Sequence, residues 1–189
     1  MRLPMVDPLP RLLAAFGALA TARLSLLPIV AEHAPLLFGV LADPALHAFT
    51  GGEPPASVEA LRARFTHWER RRSPDGSELW VNWLVLEQAG GTAIGYVQTT
   101  VRNPSIADVA WVIGAPWQRQ GYATEAAAAV VRWLEGLSVT HVRACIAPAH
   151  TASERVAERV GLSLTSAWED GEQVWSRTAA ERGNAAPSR

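Results

Sequence analysis

Lysine is missing from this chain of 189 residues, and every one of its 17 basic side chains is an arginine. The absence excludes a nucleotide-triphosphate P-loop, which needs a lysine to reach the terminal phosphates. Cysteine is nearly missing too. Cys145 stands alone, so no disulfide can form within the chain and a reducing, cytoplasmic compartment is expected. An excess of one charge is also lacking. The formal net charge is −1, which gives no general attraction to nucleic acid or to an anionic membrane. The apolar run over residues 12–20 is too short to span a bilayer. What remains is a chain of ordinary single-domain length, able to bury a core.

The first twenty residues carry two readings. Arg2 and Arg11 precede the apolar run, and Ala20-Thr21-Ala22 matches a small-residue cleavage pattern, as in a secretory signal. However, Asp7 and three prolines interrupt the basic region, and Arg11 abuts the apolar run. The expectation is therefore an N-terminal extension over 1–20, a floppy start plus a short amphipathic helix. A domain over 21–178 and a disordered tail over 179–189 follow it.

The most informative segment is Trp117-Gln118-Arg119-Gln120-Gly121-Tyr122-Ala123-Thr124-Glu125. Asp108-Val109-Ala110-Trp111-Val112-Ile113-Gly114 precedes it and reads as a buried strand; residues 126–134 follow and read as helix. A strand that hands a glycine turn to a helix start can hold an anion. The first helical N–H groups have no internal partner, and the helix dipole adds partial positive charge. Gly121 has no Cβ, so a phosphate can approach the backbone. Gly114 and Gly121 stand too far apart for a dinucleotide fingerprint. The ligand expected here carries phosphate; an ordinary strand-to-helix turn is the alternative.

Patterning along the rest of the chain predicts strands over 22–28, 78–87, 92–102, 107–114, 140–147, 162–168 and 172–178. Helices are predicted over 31–41, 57–71, 121–134 and 151–160. Ser57 is the expected cap of the second helix, and Thr151-x-x-Glu154 reads as a capping box for the fourth. Ala123, Ala127, Val130, Val131 and Leu134 mark the packing face of the third. Residues 88–91 and Asp170-Gly171 read as hairpin turns. Residues 47–56 read as a loop, and Arg70-Arg71-Arg72 as a solvated helix end.

Gln118-x-x-Gly121-x-Ala123 resembles the Q/R-x-x-G-x-G/A pyrophosphate loop of the GNAT acetyltransferases. Other segments resemble the ribosomal-protein (Rim-type) branch of that family, in the family's order. They are residues 22–27, Leu41-Ala42-Asp43-Pro44-Ala45-Leu46, Ala93-Ile94-Gly95-Tyr96-Val97, and His150-Thr151-Ala152-Ser153 followed by Val160-Gly161-Leu162. The likeness covers roughly residues 22–178. It implies an α+β fold: a mixed, mostly antiparallel sheet with helices on both faces and a splayed fourth and fifth strand. It implies acetyl-CoA as acyl donor, with no metal. Pantetheine would add to the fourth-strand edge at Trp111, Val112 and Ile113, as an extra strand would. The pyrophosphate would sit on Gln118, Arg119, Gln120, Gly121, Tyr122, Ala123 and Thr124. His150 and Ser153 would complete the coenzyme site. Trp111 has an equal reading as a core aromatic.

The implied activity is acetyl transfer to a primary amine, either a peptide or protein α-amine or a small amine. The attacking amine must be neutral. Near neutral pH about one lysine ε-amine in a thousand is neutral, against roughly a quarter of α-amines. An α-amine enzyme can therefore manage with a water wire. A fourth-strand N–H would meet the oxyanion. The resemblance brings Ser153 near the coenzyme sulfur and Asp108 to the start of the fourth strand, as candidate catalytic groups. Each also has a plainer reading: Ser153 as a helix-start hydroxyl, Asp108 as a solvated strand end, His150 as a loop histidine. The chain departs from the commoner family pattern at two places. Ala157 stands where many members carry a tyrosine acid. Cys145, which reads as a small core residue, stands near where some carry a glutamate base. The alternative function is a non-catalytic acyl-CoA-binding regulatory module. The expected partners are a small-molecule or peptide amine acceptor, with neither nucleic acid nor membrane, and the protein is expected as a monomer or homodimer.

Overall fold

Strand alternation and short turns lay the strands of the chain into one eight-stranded sheet. The computed structural model describes residues 9–178, apart from 51, 104 and 138. Residues 1–8 and the expected tail over 179–189 lie outside the described residues. In chain order the elements are α1 (Leu9–Ala15), β1 (Leu19–Ala20), β2 (Leu24–Pro28), α2 (Ala34–Leu41), α3 (His47–Thr50), α4 (Val58–Glu69), β3 (Leu79–Glu87), β4 (Thr92–Asn103), β5 (Ile106–Ile113), α5 (Tyr122–Gly136), β6 (His141–Ile146), α6 (Thr151–Arg159), β7 (Ser163–Glu169) and β8 (Glu172–Thr178). The sheet order is β1-β2-β3-β4-β5-β6-β8-β7. All pairings are antiparallel except β5 with β6, which the α5 crossover makes parallel. The expected fourth and fifth strands are thus β5 and β6, displaced in number by the short β1.

Helices cover both faces of the sheet. On one face Leu12 of α1, Ala127, Val130, Val131 and Leu134 of α5, and Val156 and Ala157 of α6 pack on Val81, Val97 and Val109. On the other, Leu37 and Leu41 of α2 and Leu61 and Phe65 of α4 pack on Leu84. The predicted face of α5 is buried apart from Ala123, which is half-buried at the helix start. Ser57 caps α4 as expected, its hydroxyl accepting the Ala60 N–H at 3.1 Å. Gly95 is needed where β4 meets β5, because a Cβ there would lie 2.0 Å from the Val112 carbonyl oxygen.

Two features differ from the sequence reading, and a third was not foreseen by it. First, residues 47–50 are helical, so the loop starts later than expected. Second, Arg71 is not a solvated helix end. Its backbone turns into the left-handed region at φ 58°, and its guanidinium donates to the Ile29 carbonyl at 2.7 Å. The same group lies 4.8 Å from the Phe16 ring centre, and burial lowers its pKa. Third, the N-terminal stretch is clasped by tryptophans. Trp83 is fully buried and donates to the Gly17 carbonyl at 2.9 Å. Phe16 packs edge-on to it at 4.8 Å, and Trp133 donates to the Ala15 carbonyl at 3.2 Å.

Candidate active site

The site begins where two strands part. β5 and β6 pair only at Ile106–His141, Ala107–Val142 and Asp108–Arg143. Beyond that rung the edge of β5 is open. Gly114 N–H bonds to the Ile94 carbonyl of β4 at 2.8 Å, so by alternation the Val112 backbone also faces β4 and that of Trp111 and Ile113 faces the opening. The Ile113 carbonyl is taken by the Gln118 side-chain amide at 2.9 Å. Trp111 N–H and C=O and Ile113 N–H are left toward the gap, and Val112 also lines it. A cleft of about 560 Å³ fills the opening, lined by these strand residues, the loop after β5, the start of α6, and Leu46 and Phe49.

The loop after β5 is held from several directions. Arg119 and Gly121 both take positive φ, 62° and 83°. Gly121 is the N-cap of α5 and offers no side chain, so the first amides of the helix stay bare. Arg23, which the sequence reading did not single out, braces this turn. It donates to the Gln120 carbonyl at 3.0 Å, lies 4.4 Å over the Tyr122 ring, and pairs with Glu125 at 2.7 Å. Burial works to raise the Glu125 carboxyl, but donors on Thr21 and Arg23 outweigh it and hold the pKa low. Tyr122 turns its hydroxyl away to Glu87 at 2.5 Å. Gln120 folds back on the Pro116 carbonyl at 2.9 Å and does not line the cleft, whereas Gln118, Arg119, Gly121, Tyr122, Ala123 and Thr124 do.

The start of α6 forms the opposite wall. His150 occupies the N-cap, and its carbonyl accepts from Ser153 and Glu154 at 2.9 and 3.1 Å. The expected capping box is therefore absent: Thr151 is already inside the helix. The His150 ring stacks on Phe49, centroids 4.4 Å apart and planes 4° apart; burial lowers its pKa against the pull of Glu154. Ser153 lines the cleft. Ala157 is fully buried and supplies no acid.

Asp108 sits at the root of the fork, outside the cleft lining. Arg102 Nε and Arg143 Nε lie 3.0 and 2.9 Å from its oxygens. Neither contact is aligned as a hydrogen bond, so the buried carboxylate has no hydrogen-bond donor among the described residues. Burial raises its pKa, with both arginines pulling the other way. Glu169 links the same arginines, at 2.8 Å to Arg102 and in a closer pair with Arg143. Cys145 is half-buried beside Arg143, and burial raises its thiol pKa. Among the described residues no cluster of three or more metal-ligating side chains occurs, and no helix is long and apolar enough to cross a membrane.

A forked sheet with an open strand edge running into a bare helix N-terminus suits an extended ligand that carries an anionic group. The model of the Acetyltransferase (GNAT) domain matches residues 23–163, and the chain belongs to that family of acetyltransferases. No curated protein matches it. Among solved structures it is similar to a GNAT-family acetyltransferase from Bacillus anthracis, at 16% identity and TM-score 0.69, over 85% of this chain and 98% of that one. It is similar to RimL, a ribosomal L7/L12 α-N-protein acetyltransferase in complex with coenzyme A, at 18% identity and TM-score 0.69, over 84% and 95%. It is also similar to a GCN5-related N-acetyltransferase from Brucella melitensis, at 19% and 0.67, over 87% and 79%. At such identities the likeness bears on the fold.

Proposed function

We propose that the protein transfers the acetyl group of acetyl-CoA to a primary amine, an α-amine of a peptide or protein or the amine of a small molecule. The observation that carries this is the end of the β5–β6 ladder at Asp108–Arg143, directly below a cleft that leads to the Gly121 helix start. Trp111 N–H and C=O and Ile113 N–H are suited to the pantetheine amides. The amides around Arg119, Gly121, Tyr122, Ala123 and Thr124 are suited to the pyrophosphate, with Gln118 and Gln120 holding the loop in shape. Phe49, His150 and Ser153 wall the acyl end.

In this reading the amine nitrogen attacks the thioester carbonyl, the carbon–sulfur bond breaks, and a strand N–H meets the oxyanion. Ser153 is the donor nearest the departing thiolate. Asp108, at the root of the fork, takes the amine proton through water; burial, which raises its pKa, favours that role, and its ion pairs with Arg102 and Arg143 oppose it. The test is release of free thiol from acetyl-CoA with a panel of amines. Thiol release with an amine supports the enzyme; tight coenzyme binding without release on any amine would favour the regulatory module.

A further inference from the structure

The sheet face under α2 and α4 is not covered along its whole length. Asp108, Ala110 and Val112 turn to that face of β5, opposite Thr100, Gln98 and Tyr96 of β4. Val112 and Tyr96 pack against the core beneath the two helices, whereas Ala110 is exposed in mid-strand. Val112 also lines the cleft, so the open floor at Ala110 adjoins the place where the thioester would lie. The two ends of this floor carry opposite charge. At the Asp108 end, three carboxylates, Glu78, Asp108 and Glu169, share the guanidiniums of Arg102 and Arg143, so negative charge is in excess. The strand rise puts Val112 about 14 Å from Asp108, and Arg64 stands at that second end. Its guanidinium lies 5.6 Å from the Trp68 ring centre, and Trp68 lies against Tyr96 at 5.3 Å.

Arg64 is half-buried, its Nε has no acceptor, and no acid pairs with it among the described residues. Arg23, Arg102, Arg143 and Arg177, by contrast, each pair with an acid. Burial raises the Tyr96 pKa and the Arg64 charge pulls against it, so the cation is felt on β4. Between the two ends, Asn82 of β3 adjoins Gln98. It is 1% exposed, and both atoms of its amide lack a partner. Buried polar groups are normally paired, so this face is short of polar partners at its centre and of an anion at Arg64. An amine with a carboxylate beside it matches that polarity. Resting on the acetyl-transfer reading above, we infer that the acceptor is an amine bearing a carboxylate, and that Arg64 selects it by pairing with that group. The arginine fork can donate two parallel hydrogen bonds to a carboxylate, and the apolar wall of Trp68 strengthens the attraction by lowering the local dielectric. The amine end lies over Ala110, toward Asp108. The carboxylate belongs either to a free amino acid or to an acidic side chain of a peptide, and its chemistry at Arg64 is the same.

Thiol release from acetyl-CoA with two matched pairs of acceptors tests the inference. One pair is an alanine-first peptide amide with glutamate or glutamine in second place; the other is alanine and alaninamide. The variants are Arg64→Met, which keeps the apolar stem on Trp68, and Arg64→Lys, which keeps the charge without the fork. An unchanged melting temperature checks the fold of each. The wild type should favour the acidic member of one pair in kcat/KM, and the pair in which it does so identifies the source of the carboxylate. Arg64→Met should lower that preference about tenfold, the scale of one hydrogen bond to a charged group, with the change in KM rather than kcat. Arg64→Lys should restore part of it. The amines of alanine and alaninamide differ in basicity, so that pair is read as the change between wild type and variant. The absence of any preference in the wild type would overturn the inference, as would a preference that survives unchanged in Arg64→Met. Thiol release with no amine at all would overturn the acetyl-transfer reading itself.

Discussion

Phe49 and His150 stack face to face, ring centres 4.4 Å apart. The contact ties α3 to the start of α6 across the mouth of the cleft. Burial keeps the His150 pKa below its ordinary value, so the unfolded chain binds its proton more readily than the folded one. Stability from this group is therefore full above about pH 6.5 and is lost as pH falls below it. Phe49→Ala should expose the ring and raise the His150 pKa, followed by NMR titration. An unmoved pKa would mean that another wall buries the ring.

The Gly121 turn should be the point at which coenzyme binding is most easily destroyed. Gly121→Glu introduces a side chain at φ 83° and a negative charge into the anion site. Acetyl-CoA binding by calorimetry should vanish. Arg23→Ala should weaken binding about tenfold by releasing the Gln120 carbonyl. Stability should change by no more than about 1 kcal/mol, because the Arg23–Glu125 pair is partly exposed. A large fall in stability with normal binding would make Arg23 a purely structural tie.

Ser153→Ala and Asp108→Asn should each lower kcat about 10²-fold, the low end for a lost acid–base group. Acetyl-CoA affinity should hold in Asp108→Asn, since Asp108 does not line the cleft. Wild-type turnover in Asp108→Asn would leave that residue as a clamp between Arg102 and Arg143. The same result for Ser153→Ala would leave water as the proton donor.

Leu12 should prove part of the core rather than of a dispensable leader. It is 1% exposed, so Leu12→Ala should cost about 2–5 kcal/mol in denaturant unfolding. A change under about 0.5 kcal/mol would show that α1 docks without energetic consequence.

The loop after β5 was legible because its signals are local, whereas the fork, which joins residues 106–108 to 141–143, was implied only by the family resemblance. Gly121 takes the positive φ that a side chain resists, and the run from Asp108 to Gly114 alternates as a strand does. Ser57 was legible for the same reason. The bracing was not, because it joins distant residues. Arg23 reaches Gln120 and Glu125 across about a hundred positions, and Phe49 meets His150 only once α3 and α6 have packed. Arg71 read as solvent-facing because nothing in Arg70-Arg71-Arg72 records that Phe16 and the Ile29 carbonyl wait beside it. The Thr151 capping box failed by one residue, since His150 takes the cap.

Thiol release from acetyl-CoA, with matched peptides bearing either one free α-amine or one free lysine ε-amine, tests the central claim most directly. With Ala157 in place of a tyrosine acid and Cys145 near the position of a glutamate base, the α-amine peptide should turn over faster at neutral pH, because far more of it is neutral. Faster release on the ε-amine would contradict the water-wire mechanism, and no release above background on any amine would contradict acetyl transfer itself.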